Sequence, residues 1–258
     1  MISVVINTDT RVGFDQPSIS VGEFENGQPN GARSIDFLTE GIKNKMNFLR
    51  GQEAQCILYI DEHLPIPDGL FMDIVDLVHS YGNNSQVICH PNNRTIYRWN
   101  DHIYINALKL AEGDYVVHFD GDGNAFRSDE SNIIEQYFDW LNNGYKYICQ
   151  PIHPLQTEKW YHASTQFFIC KRETLDFKEI EMNLYSSSVN GKYVACLEHL
   201  LGALAGDGTV LYPPRNLDEY MIFCWRKYES GLLKKLNEMP YQEVKDFILK
   251  CGLTSTSW

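Results

Sequence analysis

Four short runs of β-branched and aromatic residues alternate with helical patterns over the first 120 residues, and this alternation constrains the fold more than any other feature. The runs are ISVVIN (2–7), CILYI (56–60), QVICH (86–90) and YVVHF (115–119). Between the first two, Ile35, Leu38, Ile42, Met46 and Leu49 fall at helical spacing over 34–49, with Ser34 placed as N-cap. Residues 69–81 and 101–112 read as the next helices, the latter closed by Gly113 as C-cap. Strand–helix alternation specifies a parallel sheet with helices on its faces. Right-handed crossovers bring the strand C-termini to one edge, and ligands of such sheets bind outside those carboxyl ends. Standing there are Thr8, Asp9, Asp61, Glu62, residues 91–94 and Asp120-Gly121-Asp122.

The second half reads differently. A helix at 129–142 precedes strands at 145–150 and 165–171, with an irregular stretch between them. Helices are expected at 192–206, 217–236 and 240–251, and a short strand at 209–214. The whole is one composite α/β unit with a mixed second half and a helical C-terminal end. Residues 11–33 carry Gly13, Pro17, Gly22, Gly27, Pro29 and Gly31, a breaker density that gives a long loop and a candidate lid.

Composition narrows the function. Twenty-two Lys and Arg against 34 Asp and Glu leave a formal charge of −12, which argues against a nucleic-acid binder. No apolar run approaches the ~20 residues of a membrane span, and MISVVIN reads as a first strand, not a signal peptide. The seven cysteines show no CxxC spacing and mostly lie in apolar runs, which favours reduced thiols in a cytoplasmic protein over a zinc site.

The sharpest motif is Asp120-Gly121-Asp122, two carboxylates one residue apart at the end of an apolar strand. Hard oxygen ligands on such an edge suit Mg²⁺ or Mn²⁺ bridging to phosphates, with Gly121 letting the backbone approach a ligand. A solvated turn is the plain alternative, since Asp and Gly are turn residues. An EF-hand loop is excluded: Ala125 stands where Gly is needed and Ser131 where Glu is needed, after a strand in place of a helix. FDGDGN also resembles the first motif of haloacid-dehalogenase-type phosphatases, with a nucleophilic first Asp. The context differs, because three strand–helix units precede it, Asn124 follows, and Gly206-Asp207-Gly208 only faintly echoes the late acidic cluster.

Taken together, the motifs resemble glycosyltransferase family 2. ISVVINTDT (2–10) is similar to its first strand, with Asn7 in place of Pro and Asp9 in place of Tyr. ILYIDEH (57–63) and VICHPNN (87–93) resemble its second and third strands, and ALKLAEGDYVVHFDGDG (107–123) the stretch ending in its acidic motif. LEHLLGALAGDG (197–208) resembles a later segment, with His199 where Asp is common, and Tyr104-Ile105 replace an Arg-Asn pair. The resemblance implies a GT-A fold, Rossmann-like, and metal-dependent hexosyl transfer from a nucleoside-diphosphate sugar, a UDP-sugar foremost, to an unknown glycan, lipid or protein acceptor. It implies a nucleotide-sugar-binding half at 1–128, an acceptor and catalytic half at 129–216 and C-terminal helices at 217–258.

The implied roles follow residue by residue. Asp122 would ligand Mn²⁺ or Mg²⁺, and Asp120 would reach the ribose or the metal. Thr8 and Asp9 would line the base pocket, Asp61 would accept a hydrogen bond from the base, and Arg94 and Arg98 are candidate diphosphate contacts. Inverting transfer needs a base on the acceptor hydroxyl. Glu198 is the first candidate and His199 the second, the latter also able to ligand the metal. Trp160, Tyr161 and His162 could form an acceptor platform or simply pack a core. A non-catalytic nucleotide-sugar or carbohydrate binder of the same fold is the rival function.

Overall fold

The computed structural model describes residues 1–9, 35–62, 66, 68–93, 95–121, 123–150, 162–213, 220–224 and 232–251. Strands β1 (Ile2–Asp9), β2 (Ala54–Glu62), β3 (Gln86–Pro91) and β4 (Tyr115–Asp120) alternate with helices α1 (Ile35–Phe48), α2 (Asp68–His79) and α3 (Trp99–Lys109). There follow β5 (Gly123–Arg127), α4 (Ile133–Asn142), β6 (Tyr147–Cys149), β7 (Phe167–Lys171), α5 (Phe177–Asn183), β8 (Ser188–Val189), β9 (Lys192–Tyr193) and α6 (Leu197–Ala205). The described chain closes with β10 (Val210–Leu211), β11 (Tyr220–Cys224), α7 (Leu232–Glu238) and α8 (Tyr241–Cys251).

The central sheet has seven strands in the order β10-β6-β7-β4-β1-β2-β3. Among the described strands of this sheet, only β7 runs antiparallel to its neighbours. This is the mostly parallel α/β architecture with a mixed second half that the sequence specifies. The pleat sorts each strand onto two faces. Ile2, Val4 and Ile6 of β1 pack with Leu58, Val117, Phe119 and Phe167 beneath α1, α2 and α4. Val5, Ile57, Val116 and Phe168 pack on the other face beneath α3, α5 and α6. Burial on both faces explains why these strands read as continuous apolar runs. A third small core joins Phe126 of β5 to Leu233 and Leu236 of α7 and Val244 and Ile248 of α8.

Several expectations are corrected. Residues 220–224 are strand, not helix, and pair antiparallel with β5. A five-residue apolar run carries no decisive period, so pairing with an open strand settles it. The helix expected from residue 192 starts at Leu197, because Lys192–Tyr193 pairs with Ser188–Val189 across Asn190-Gly191. Those two residues have φ of 50° and 75°, as an Asn-Gly hairpin turn requires. Gly113 does not cap α3, which ends at Lys109. A Cβ there would lie 2.7 Å from the Met1 carbonyl and 2.8 Å from the Ser3 nitrogen, so the glycine serves close passage over the start of β1. Ser34 and the 11–33 loop lie outside the described residues.

Candidate functional site

The chain leaves β1 for β2 and β3 on one side, then crosses to β4 on the other. This places a topological switch point between β1 and β4, where open α/β sheets bind ligands. Asn7 is the register partner of Asp120, and Asp9 of Asp61, so the acidic strand ends form one row. Thr8 is buried, and Gly121 is pressed against it: a Cβ would lie 2.5 Å from Thr8 Oγ1 and 2.9 Å from the Asn7 carbonyl. The glycine thus serves first to let the turn after β4 close onto β1. The Gly121 amide donates to Asp120 Oδ1 at 2.8 Å, holding that carboxylate at the turn. Asp122 lies outside the described residues.

Beneath this turn sits Lys45 of α1, 0% exposed. Its ammonium donates to the carbonyls of Gly121 at 3.2 Å and Gly41 at 3.4 Å and lies 5.8 Å from the Phe119 ring centroid. Sequence reasoning missed this residue. The signal was present, since Lys45 falls three residues after Ile42 and four before Leu49 on the buried stripe of α1.

At the end of β2, Asp61 is 5% exposed. Its Oδ2 accepts from Asn92 Nδ2 at 2.7 Å and its Oδ1 from Trp99 Nε1 at 3.0 Å. Arg94 lies outside the described residues. The Arg98 side chain is 7% exposed, and its guanidinium donates to the Asp101 carboxylate and the Leu184 carbonyl. Its charge is committed within the protein, not presented at the strand edge. Burial raises the Asp101 carboxyl above its ordinary range despite that pairing.

A second group of polar residues is tied directly to the first. The Asp120 amide donates to the Gln166 carbonyl at 2.9 Å. The preceding residue, Thr165, holds Glu198 in the first turn of α6. Glu198 Oε1 accepts from the Thr165 amide at 2.7 Å and its hydroxyl at 2.8 Å. Glu198 Oε2 has no hydrogen-bond partner among the described residues. His199 Nδ1 accepts from the Ala195 amide at 3.2 Å, so the neutral ring carries its proton on Nε2. The His162 ring lies edge-on to His199 with centroids 5.9 Å apart, and burial lowers its pKa against the pull of Glu198. Tyr212 closes the group, donating to the His162 carbonyl at 3.0 Å. Thr165 and Tyr212 were not legible as site residues, because only long-range folding brings them to α6. Trp160 and Tyr161 lie outside the described residues.

Among the described residues no three His, Cys, Asp or Glu side chains group as a metal cage. The oxygens of Asp120 nevertheless fit a hard divalent ion of the kind that leans on one or two carboxylates and substrate phosphates. Five described cysteines are free thiols, and burial pushes Cys56 and Cys149 up to about 12, far from thiolate chemistry. No described helix is long and apolar enough to cross a membrane.

No protein-family model matches the chain, and no curated protein sequence matches it. Among solved structures it is similar to the mannosyltransferase PcManGT from Pyrobaculum calidifontis in complex with GDP-Man and Mn²⁺, with 12% identity, 83% of this chain covered and a TM-score of 0.48. The match covers 54% of that chain, so this chain spans about half its length. It is similar to the galactosyltransferase LgtC in complex with donor and acceptor sugar analogs, with 12% identity, 82% and 73% of the two chains covered and a TM-score of 0.46. It is also similar to 4-diphosphocytidyl-2C-methyl-D-erythritol synthase from Anaerococcus prevotii, with 14% identity, 84% and 90% covered and a TM-score of 0.44.

Proposed function

We propose that the protein is a metal-dependent glycosyltransferase of GT-A type that moves a sugar from a nucleoside-diphosphate donor, a UDP-sugar foremost, with inversion. One observation carries the reading: Asp120 is hydrogen-bonded through its amide to Gln166, and the adjoining Thr165 fixes Glu198 with one oxygen left for a proton. An acidic strand end at the switch point and an anchored carboxylate thus share one edge, as transfer between a diphosphate donor and a hydroxyl acceptor requires.

In this reading residues 1–128 form the donor half, 129–216 the acceptor half and 217–258 the C-terminal helices. Thr8 and Asp9 line the base pocket, and Asp61 reads the base from the end of β2. Asp120 and Asp122 would hold Mn²⁺ or Mg²⁺, which when bound offsets charge on the departing diphosphate. Arg94 is the remaining arginine candidate for the diphosphate. Glu198 takes the acceptor proton on Oε2 while Thr165 keeps it aimed. His199 is the weaker base candidate: the one lone pair of its neutral ring is at Nδ1, already engaged by Ala195.

The test is a donor-hydrolysis screen across UDP-, GDP- and dTDP-sugars with and without Mn²⁺. Metal-stimulated release of one nucleoside diphosphate supports the reading. Binding of a donor without any turnover would favour the non-catalytic binder, and release of inorganic phosphate from phosphomonoesters would favour the phosphatase.

A further inference from the structure

Tyr97 and Tyr185 are 73% and 58% exposed, yet they stack on each other with ring centroids 6.2 Å apart and planes 25° apart. Their position is built. Each directly adjoins a partner of one buried contact, Arg98 donating to the Leu184 carbonyl. Arg98 holds a left-handed backbone, φ 56°, which a non-glycine residue keeps only when its surroundings enforce it. Its pairing with Asp101 supplies that enforcement, and Tyr185 is further fixed by hydrogen bonding to His102. The exposed stack is therefore rooted in the hydrogen bonds of Arg98 and His102.

We propose that the Tyr97–Tyr185 stack is a binding platform for a neutral saccharide chain, the acceptor whose hydroxyl reaches Glu198. The proposal rests on the transferase reading above. Aromatic faces meet the apolar C–H faces of sugar rings, while phenol and imidazole edges offer hydrogen bonds to hydroxyls. Among the described residues, the exposed neighbours of the two tyrosines in the chain, Thr95, Ile96, Asn100, Ser187 and Ser188, carry no charge, and four of these five can hydrogen-bond. That chemistry suits a polyhydroxylated neutral ligand better than a phosphate or an acidic one. Tyr193, also exposed, continues the surface toward the site, since Val194 donates to the Ser187 carbonyl and the Tyr193 ring lies 6.2 Å from that of His199.

The probe is an array of linear neutral oligosaccharides of the gluco, manno, galacto and N-acetylglucosamine series. Retention of the parent protein on at least one series is the expected result. Tyr97→Ala with Tyr185→Ala should weaken it about tenfold, while Tyr97→Phe with Tyr185→Phe keeps most of it. Equal binding by the alanine variant, no retention of the parent on any series, or equal loss in the phenylalanine variant would each overturn the platform. So would concentration-dependent self-association of the parent that the alanine variant abolishes, since a second protein copy would then occupy the patch. Donor hydrolysis by the parent is read in parallel. Hydrolysis without saccharide binding removes the platform alone, and saccharide binding without hydrolysis removes the transferase reading and with it the acceptor role, leaving a saccharide-binding surface.

Discussion

Glu198 gives one carboxylate oxygen to two donors of Thr165 and keeps the other available, the arrangement of an oriented base. Glu198→Gln preserves the Thr165 contacts and removes only proton acceptance. Turnover should fall by about 10²–10⁴ while donor affinity stays near its parent value. His199→Ala should cost far less, and steady-state transfer or donor hydrolysis separates the two. Asp61 makes a second prediction. In Asp61→Asn the Trp99 bond survives and Asn92 can re-pair by turning its amide, so the fold holds. Loss of a charged acceptor for the base is worth ~1.5–3 kcal/mol, about a tenfold to hundredfold weaker nucleotide affinity. An unchanged dissociation constant for free nucleotide would place the base elsewhere. Asp61 and Asp120 were legible because strand C-termini can be read from apolar runs. The confinement of Arg98 was not, because its partners Asp101 and Leu184 gather only when α3 meets the segment after α5.

Elements show the same division. The alternating first half is readable because both faces of β1, β2 and β4 are buried, whereas β11 and the β8–β9 hairpin depend on partners found far off or in a two-residue turn. The C-terminal helices are more than a tail. Asn237 of α7 donates to the Glu40 carbonyl of α1 at 3.0 Å and accepts from Asn44 at 3.1 Å. Asn44 in turn accepts from the Ala125 amide of β5 at 2.8 Å. The helices therefore back the element that carries Lys45 beneath the acidic turn. Leu236 is 1% exposed in the third core, and Leu236→Ala should cost ~2–5 kcal/mol in urea unfolding. A single transition shifted to lower urea is predicted. A main transition left unmoved would show that the C-terminal helices unfold independently.

At the scale of the molecule, one buried histidine couples folding to acid. His118 on β4 is fully enclosed, bonded to Asn7 Oδ1 at 2.9 Å and stacked on Phe168 with centroids 5.0 Å apart. Burial lowers its pKa from 6.5 to about 3. The unfolded chain therefore takes up this proton first as pH falls. The stability from the neutral ring is complete above about 6.5 and is lost progressively on acidification towards about 3. His118→Phe keeps the aromatic stack but removes the titration, at the cost of a bond to Asn7. Its unfolding free energy should drop less than the parent's between about pH 7 and about pH 5, by about 2 kcal/mol. Equal drops in the two proteins would show that the ring is not held neutral.

The central claim is that the switch point at β1 and β4 binds a nucleoside-diphosphate sugar through a divalent ion. Calorimetric titration of UDP, GDP and their sugars with and without Mn²⁺, on the parent and on Asp122→Asn, tests it most directly. The account predicts Mn²⁺-dependent donor binding in the parent and its loss in a variant that unfolds at the parent's urea concentration. Equal metal-dependent affinity in the two proteins, or no donor bound by the parent at all, would contradict it.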